Sequence, residues 1–227
     1  MQRLDAGQLE KLFALYEPLD GVRANLVANF DGSVAGESGS SNDVSNTTDR
    51  ALLATIRSLS DVIVTSATTA RAEQLRPSKF APMVVLCNSA NLVGLEILLT
   101  SSSNWVPMLF VPKGLKDRAQ AFLNGAGLSA NLVELSDLSP KCVVDYLREQ
   151  GYSKILFEAG PTLLKLWLRA GMINELCLTT TSASSDRDAK SSQPEFVRQL
   201  SEERTIESVS DFYAESIETR FQQIKFL

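Results

Sequence analysis

The segment ILFEAGPTLL, residues 155–164, passes from an apolar run through a glycine and a proline into a second apolar run. A short apolar run is typical of a buried strand, and proline is well tolerated at the first position of a helix, where no N–H is needed. The segment therefore predicts a strand that ends at Glu158, a tight turn at Gly160 and a helix that begins at Pro161.

The start of this predicted helix is a candidate anion site. Amides in the first turn of a helix lack partners within the helix, and the helix dipole contributes roughly 0.3–1 kcal/mol to the binding of a negative group. We expect the free amides of Thr162, Leu163 and Leu164 to face the crevice at the carboxyl ends of the strands, where a diphosphate would fit. The alternative is an ordinary strand–turn–helix connection without a ligand.

Similar apolar runs alternate with helical patterns along most of the chain, which predicts a parallel, doubly wound α/β sheet. The predicted strands cover residues 22–30, 61–65, 83–87, 106–111, 132–135, 153–157 and 173–179. One predicted helix begins near Asn46, and the others cover about 68–75, 115–123, 140–150 and 161–170. The tail at about 204–226 predicts an antiparallel pair, and residues 182–195 predict a surface loop. With no repeat or composition break, we expect one domain over residues 1–227, with a helical extension at 1–20.

The composition excludes several kinds of chemistry. The chain has no histidine, so it has no Ser-His-Asp triad and no histidine metal ligand. Its three cysteines are far apart, so we expect free thiols, no disulfide framework and no metal site. The net charge of −5 lacks the basic footprint of a protein that binds nucleic acid or an anionic membrane. Without a targeting signal or a run of ~20 apolar residues, a soluble cytoplasmic protein is expected.

Two further segments lie beside the ends of predicted strands. The turn Asn29-Phe30-Asp31-Gly32 follows the first of these strands, and two such turns on one sheet edge can face a single crevice. Residues 57–73 combine Arg57 on a helix with a buried strand and a hydroxyl-rich turn, and a guanidinium is suited to bind a phosphate through two hydrogen bonds. The alternatives are a plain turn and a surface ion pair. Residues 33–49, rich in serine and threonine, are either a flexible linker or a loop over an active site.

One match to a known motif is misleading. Residues 125–130, GAGLSA, fit the letters of the dinucleotide-binding fingerprint, which requires a preceding strand and a following helix. Here a predicted helix precedes the glycines and a predicted strand follows them. We therefore interpret this segment as a helix end closed by glycine.

Taken in order, these segments resemble the reductase family of riboflavin biosynthesis, which shares the fold of dihydrofolate reductase. The stretches that carry the resemblance are residues 22–32, 49–73 and 155–178. The resemblance implies an α/β fold, namely a three-layer αβα sandwich with a mixed, mostly parallel central sheet and antiparallel C-terminal strands. It also implies NADPH as the cofactor and a homodimer. Because the deaminase domain often fused to this reductase is absent, the chain resembles a stand-alone member.

The resemblance also implies individual site residues. The expected contacts of NADPH are Val27, Thr69, Glu73, Ser89, Gly160, Pro161, Thr162, Leu163 and Leu164. The expected contacts of the small-molecule substrate are Ser41, Arg57, Arg76 and Glu158. The expected catalytic residues are Asp31 and Glu158. The family's Asp-Pro-x-Leu-x-x-Arg segment is replaced here by Glu73-Gln74-Leu75-Arg76-Pro77, so Lys79 is an alternative to Arg76 as the second phosphate ligand.

The implied reaction is the NADPH-dependent reduction of 5-amino-6-(5-phosphoribosylamino)uracil at C1′ of its opened ribose. The absence of histidine is no obstacle, because hydride transfer depends on positioning and the redox chemistry belongs to the cofactor. Two alternatives remain open at this point. One is a dihydrofolate- or pterin-type reductase of the same fold, and the other is an NADPH-binding homodimer without turnover.

Overall fold

The computed structural model describes residues 2–4, 9–37, 39–101, 103–181 and 204–227. Within these residues, ten strands form one sheet flanked by seven α-helices. The strands are β1 Gln2–Leu4, β2 Gly21–Asn29, β3 Val62–Ser66, β4 Met83–Leu86, β5 Met108–Pro112, β6 Asn131–Leu135, β7 Lys154–Phe157, β8 Glu175–Thr181, β9 Ile206–Ala214 and β10 Thr219–Phe226. The helices are α1 Leu9–Phe13, α2 Thr47–Ser58, α3 Ala67–Ala72, α4 Glu96–Thr100, α5 Lys116–Ala126, α6 Pro140–Glu149 and α7 Pro161–Arg169.

The sheet is mixed and mostly parallel. Its strand order is β1-β9-β10-β8-β2-β7-β3-β4-β5-β6, and only β10 runs antiparallel to its neighbours β8 and β9. One buried cluster joins α6 and α7 to one face of the sheet, and a second cluster joins α2, α3, α4 and α5 to the other face. The predicted three-layer αβα fold with antiparallel C-terminal strands is therefore confirmed.

Alternation along β2 explains why both faces of the sheet are covered. Val22, Ala24 and Leu26 belong to the cluster under α6 and α7, so residues 23, 25 and 27 point to the opposite face of the sheet. Phe157 at the end of β7 packs against Trp167 of α7, with ring centroids 4.2 Å apart. This contact fixes α7 close to the carboxyl end of β7, where the predicted turn at Gly160 lies.

The N-terminal part of the chain differs from the predicted helix over residues 1–20. Residues 2–4 form a strand that pairs with residues 212–214 of β9, and the helix that follows spans only residues 9–13. A buried ion pair fastens this part to the sheet, because Arg23 Nε donates to Glu175 Oε1 at 2.5 Å while Nη2 donates to the Glu17 carbonyl at 2.8 Å.

Two other comparisons with the sequence prediction concern helix ends and loops. Helix α5 ends at Ala126 with Gly127 in the left-handed region at φ +64°, which confirms the interpretation of GAGLSA as a helix end. Helix α4 was not predicted. The predicted loop at 182–195 lies outside the described residues.

Candidate active site

A cleft of about 760 Å³ opens beside the carboxyl ends of β2, β3 and β7. This volume lies within the range of small-molecule sites, roughly 300–1,000 Å³. Its walls come from β2, residues 34–35 and 39–45, α2, α3 with the segment that follows it, and the β7–α7 turn. The predicted site residues among its lining are Val27, Ser41, Arg57, Thr69, Glu73, Arg76, Glu158, Gly160 and Pro161. Residues 155–164 and 57–73, two of the three sequence segments named as candidates, therefore meet at one place, whereas the turn at residues 29–32 is not part of the lining.

Arg57 and Glu158 form the most definite polar contact in the cleft. Arg57 Nε donates to Glu158 Oε1 at 2.7 Å, and Nη2 donates to Oε2 at 2.5 Å. The two side chains are only 23% and 12% exposed. Burial opposes the charge of the guanidinium, but the hydrogen bonds and charge of Glu158 outweigh that effect and raise the pKa of Arg57. The pair uses both carboxylate oxygens of Glu158, and no described residue accepts a hydrogen bond from Arg57 Nη1.

Glu73 holds the loop that covers one side of the cleft. Its Oε2 accepts a hydrogen bond from Ser40 Oγ at 2.6 Å, and its Oε1 accepts one from the Ser41 amide at 2.8 Å. Ser40 is buried, and Ser41 begins a short 3-10 turn that leads towards α2. Of the two readings of residues 33–49, a flexible linker or a loop over the site, this geometry fits the loop over the site.

The β7–α7 turn has the predicted backbone path but fewer free amides than expected. The amides of Leu163 and Leu164 both donate to the Gly160 carbonyl at 3.1 Å, so the expectation that these two amides are free is wrong. The physical reason is that Gly160 acts as the N-cap and its carbonyl already accepts the first helical bonds. The Leu164 side chain is also buried in the core. Thr162 is exposed, and no described residue accepts a hydrogen bond from its amide.

Five predicted site residues lie outside the cleft lining, namely Asp31, Ser89, Thr162, Leu163 and Leu164. Asp31 is exposed after β2, and its Oδ1 accepts a hydrogen bond from the Ser33 amide at 2.8 Å, as in an Asx turn. Ser89 is exposed in the segment after β4. Arg76 lines the cleft with an exposed side chain.

Among the cleft residues that the sequence analysis did not name as site residues is Asp49, in the first turn of α2. It lines the cleft although only 4% of the residue is exposed. Burial raises the pKa of Asp49, and the opposing hydrogen bonds from the Ser45 and Thr179 hydroxyls and the charge of Arg50 do not offset it. The helical period contained the signal, since residues 49, 53 and 57 share one face of α2 and Arg57 was already a candidate.

The part of the chain that the structure describes holds no helix long and apolar enough to span a membrane. In the same residues, no three acidic or cysteine side chains gather in a way that would hold a metal ion.

Comparison with protein families shows the family of this chain. The profile of the RibD C-terminal domain family matches residues 21–183, which is well over half of the chain. The chain belongs to this family. The matched residues include every wall of the cleft, and the resemblance drawn from the sequence is confirmed.

Solved structures of RibD-type proteins share the fold of this RibD C-terminal domain. A pyrimidine reductase-like protein from Corynebacterium diphtheriae is 20% identical with a TM-score of 0.68, and the alignment covers 96% of this chain and 98% of that one. The riboflavin biosynthesis reductase Rib7 of Saccharomyces cerevisiae is 12% identical with a TM-score of 0.67, and the alignment covers 97% of this chain and 100% of that one. RibD of Acinetobacter baumannii is 16% identical with a TM-score of 0.64, and this chain spans 62% of its length. No curated protein sequence matches significantly.

Proposed function

We propose that this RibD C-terminal domain is an NADPH-dependent reductase that converts 5-amino-6-(5-phosphoribosylamino)uracil to its ribitylamino form. The observation that carries the proposal is the convergence of Arg57, Glu158 and the Gly160 turn on one cleft in a member of this family. The family gives the reaction class, and the cleft supplies a cation for a phosphate and an open backbone corner for a dinucleotide.

The β7–α7 turn at Gly160, called the Gly160 corner below, has room for a dinucleotide. A Cβ added at Gly160 would meet no atom within 4 Å, so the backbone is open to close approach from the cleft. The N-terminus of α7 lies at the same corner, and the Thr162 amide remains for an anionic oxygen. When bound, NADPH supplies the hydride that reduces C1′ of the opened ribose.

The residues of the chain bind and orient the reactants. In this proposal Arg57 Nη1 binds the phosphate of the substrate, while Glu158 holds the guanidinium in place through Nε and Nη2. Glu73 keeps Ser40 and Ser41 over the cleft, which limits access of water to the reacting carbon. Positioning of this kind is the main contribution a protein makes to hydride transfer.

The proposal is tested by the loss of reduced-nicotinamide absorbance with the phosphorylated aminouracil and with dihydrofolate in parallel. Turnover with the aminouracil phosphate alone is the expected result. Turnover with dihydrofolate alone would instead assign the cleft to a pterin-type reductase. Binding of NADPH without turnover of either compound would make the protein a cofactor-binding module.

We also propose that the protein is a cytoplasmic homodimer. Strand β1 covers only residues 212–214 of β9, and residues 206–211 have no strand partner on that side among the described residues. An uncovered edge invites pairing with a second copy. Light scattering on the purified protein tests this, and a monomer mass at micromolar concentration would contradict it.

A further inference from the structure

Two buried threonines lie side by side where β8 ends and β10 begins. Thr181 and Thr219 are cross-strand partners, and only 6% and 0% of these residues are exposed. Because β8 is parallel to β2, this end of the sheet is the end at which the cleft opens. Neither threonine is among the residues that line the cleft. A buried hydroxyl requires a hydrogen-bond partner, so the partners of these two show what they hold.

Both hydroxyls hold the segment that leads into α2. Thr181 Oγ1 donates a hydrogen bond to the Val44 carbonyl, and Asn46 Nδ2 donates one to Thr219 Oγ1 at 2.7 Å. Thr219 Oγ1 also donates to the Ile217 carbonyl at 2.8 Å, so this hydroxyl acts as donor and acceptor at once. The Asn46 side chain is fixed at both of its polar atoms, because its Oδ1 caps α2. We call the contacts of Thr181 with Val44 and of Thr219 with Asn46 the threonine clamp.

The threonine clamp is connected to the cleft through the backbone of Ser41. The Ser41 carbonyl accepts hydrogen bonds from the Val44 amide at 3.0 Å and from the Ser45 amide at 2.9 Å. On its other side, the Ser41 amide donates to Glu73 Oε1 at 2.8 Å. Ser41 lines the cleft and is an expected contact of the substrate. A displacement of residues 44–46 therefore displaces Ser41.

The strands themselves do not require these hydroxyls. Valine has nearly the shape of threonine and is equally favoured in strands, so it would preserve the pairing of β8 with β10. It would remove the contact with residues 44–46. The polar atoms of Thr181 and Thr219 thus serve the segment beside the cleft and not the sheet.

We propose that Thr181 and Thr219 are positioning residues for the substrate, which act by fixing the place of Ser41 in the cleft. This inference rests on the proposed function and adds two residues that touch neither reactant. A displacement of about 1 Å in a binding group can lower the rate of a reaction by up to a hundredfold. The expected contacts of NADPH lie on β2, at α3 and the residue that follows it, after β4 and at the Gly160 corner, so the clamp should affect the substrate and not the cofactor.

The test measures steady-state kinetics with the phosphorylated aminouracil and the affinity for NADPH by calorimetry. Thr219→Val and Thr181→Val each remove one contact of the clamp and should raise KM for the aminouracil by about threefold to tenfold, as expected for one neutral hydrogen bond. We expect kcat to fall by a smaller factor and the affinity for NADPH to stay within about twofold of the wild type. Thr219→Ser keeps the hydroxyl and should restore the KM of the wild type.

A second variant tests the clamp from its more accessible side. Asn46→Ser keeps a residue that caps helices well, but its side chain is too short to reach Thr219, so it should raise KM to the same extent as Thr219→Val. This variant keeps the test decisive if a valine variant does not fold. Thr100→Val is the matched control, because it removes an exposed hydroxyl that donates to a carbonyl within α4, outside the cleft lining, and it should behave as the wild type does.

A double-mutant cycle shows whether the clamp acts through Ser41. Once Ser41→Ala has removed the contact with the substrate, Thr219→Val should raise KM by less than about twofold more. Effects that multiply in full would overturn the route through Ser41, even if each single variant raises KM.

The outcomes separate this inference from the proposed function. Turnover of the aminouracil phosphate with an unchanged KM in Thr219→Val or in Asn46→Ser supports the proposed function and overturns the inference. Equal losses of affinity for the substrate and for NADPH, or a raised KM that persists in Thr219→Ser, would make the clamp a general support of the fold and also overturn it. No turnover of the aminouracil phosphate by the wild-type protein overturns the proposed function and the inference together.

Discussion

Replacement of Arg57 by alanine tests the proposed phosphate site. In the proposal the guanidinium binds the phosphate through Nη1, and one hydrogen bond to a charged group contributes about 1.5–3 kcal/mol. Since 1.4 kcal/mol corresponds to about a tenfold change, Arg57→Ala should raise KM for the phosphorylated aminouracil by roughly tenfold to a hundredfold. We expect kcat to fall by a smaller factor, because C1′ is placed less accurately without the phosphate contact.

The same substitution has a cost in stability that can be measured separately. It leaves the Glu158 carboxylate, 12% exposed, without its bidentate partner. Loss of one partner of a largely buried pair costs about 1–3 kcal/mol here, discounted for the solvent that reaches Arg57. Glu158→Gln keeps the side-chain shape and one acceptor, so it should raise KM by less than Arg57→Ala does.

The assay compares steady-state kinetics with the phosphorylated and the dephosphorylated aminouracil. Arg148→Ala is the matched control, because Arg148 is exposed at the end of α6 and lies outside the cleft lining. The wild-type protein should prefer the phosphorylated compound, and Arg57→Ala should lose most of that preference. An equal rise in KM for both compounds, or no rise, would refute phosphate recognition by Arg57.

Three further predictions concern the cofactor corner, the acid stability and the core. Gly160→Ala should weaken NADPH binding in a calorimetric titration, because the new methyl group blocks a dinucleotide, but it should change the free energy of unfolding by less than about 0.5 kcal/mol, because the methyl group meets no protein atom. Gly125→Ala, which also adds a methyl group in open space, is the control. An unchanged affinity of Gly160→Ala for NADPH would contradict the cofactor site. Asp61 has a lowered pKa because amides of residues 153 and 154 donate to its carboxylate and outweigh burial, so Asp61→Asn should cost about 1 kcal/mol at neutral pH. That cost should vanish in urea titrations as the pH falls below about 4 and through the folded-state pKa, and a constant difference would contradict the assignment. Trp167→Ala should cost about 3–5 kcal/mol in the same titrations because Trp167 is fully buried against β7, and a cost below ~1 kcal/mol would show that the core tolerates the cavity.

Local signals predicted the elements that build the site. Proline at the first position of α7, glycine before it and asparagine at the start of α2 each act within a few residues. Asn46 caps α2, since its Oδ1 accepts a hydrogen bond from the Asp49 amide at 2.9 Å. Strand β1 escaped because three residues form a strand only where β9 is present to pair with them, about 210 residues further along the chain.

The polar partners within the site were not predictable from the sequence. Arg57 and Glu158 are 101 residues apart, and nothing near either residue indicates that they pair with each other. The amides of Leu163 and Leu164 were expected to be free, but the carbonyl of Gly160 accepts from both. A carboxylate in the first turn of a helix, such as Asp49, stabilises the helix itself, so its residue type alone does not mark it as part of the cleft.

The most direct test of the central claim follows deuterium from the cofactor to the product. The protein is incubated with the phosphorylated aminouracil and with NADPH that carries deuterium at C4 of the nicotinamide, and the product is analysed by mass spectrometry and NMR. The two faces of C4 are labelled in turn, and the account predicts one deuterium at C1′ of a ribityl chain from one of the two labelled cofactors. A product without deuterium at C1′ from either labelled cofactor, or no ribitylamino product at all, would contradict it.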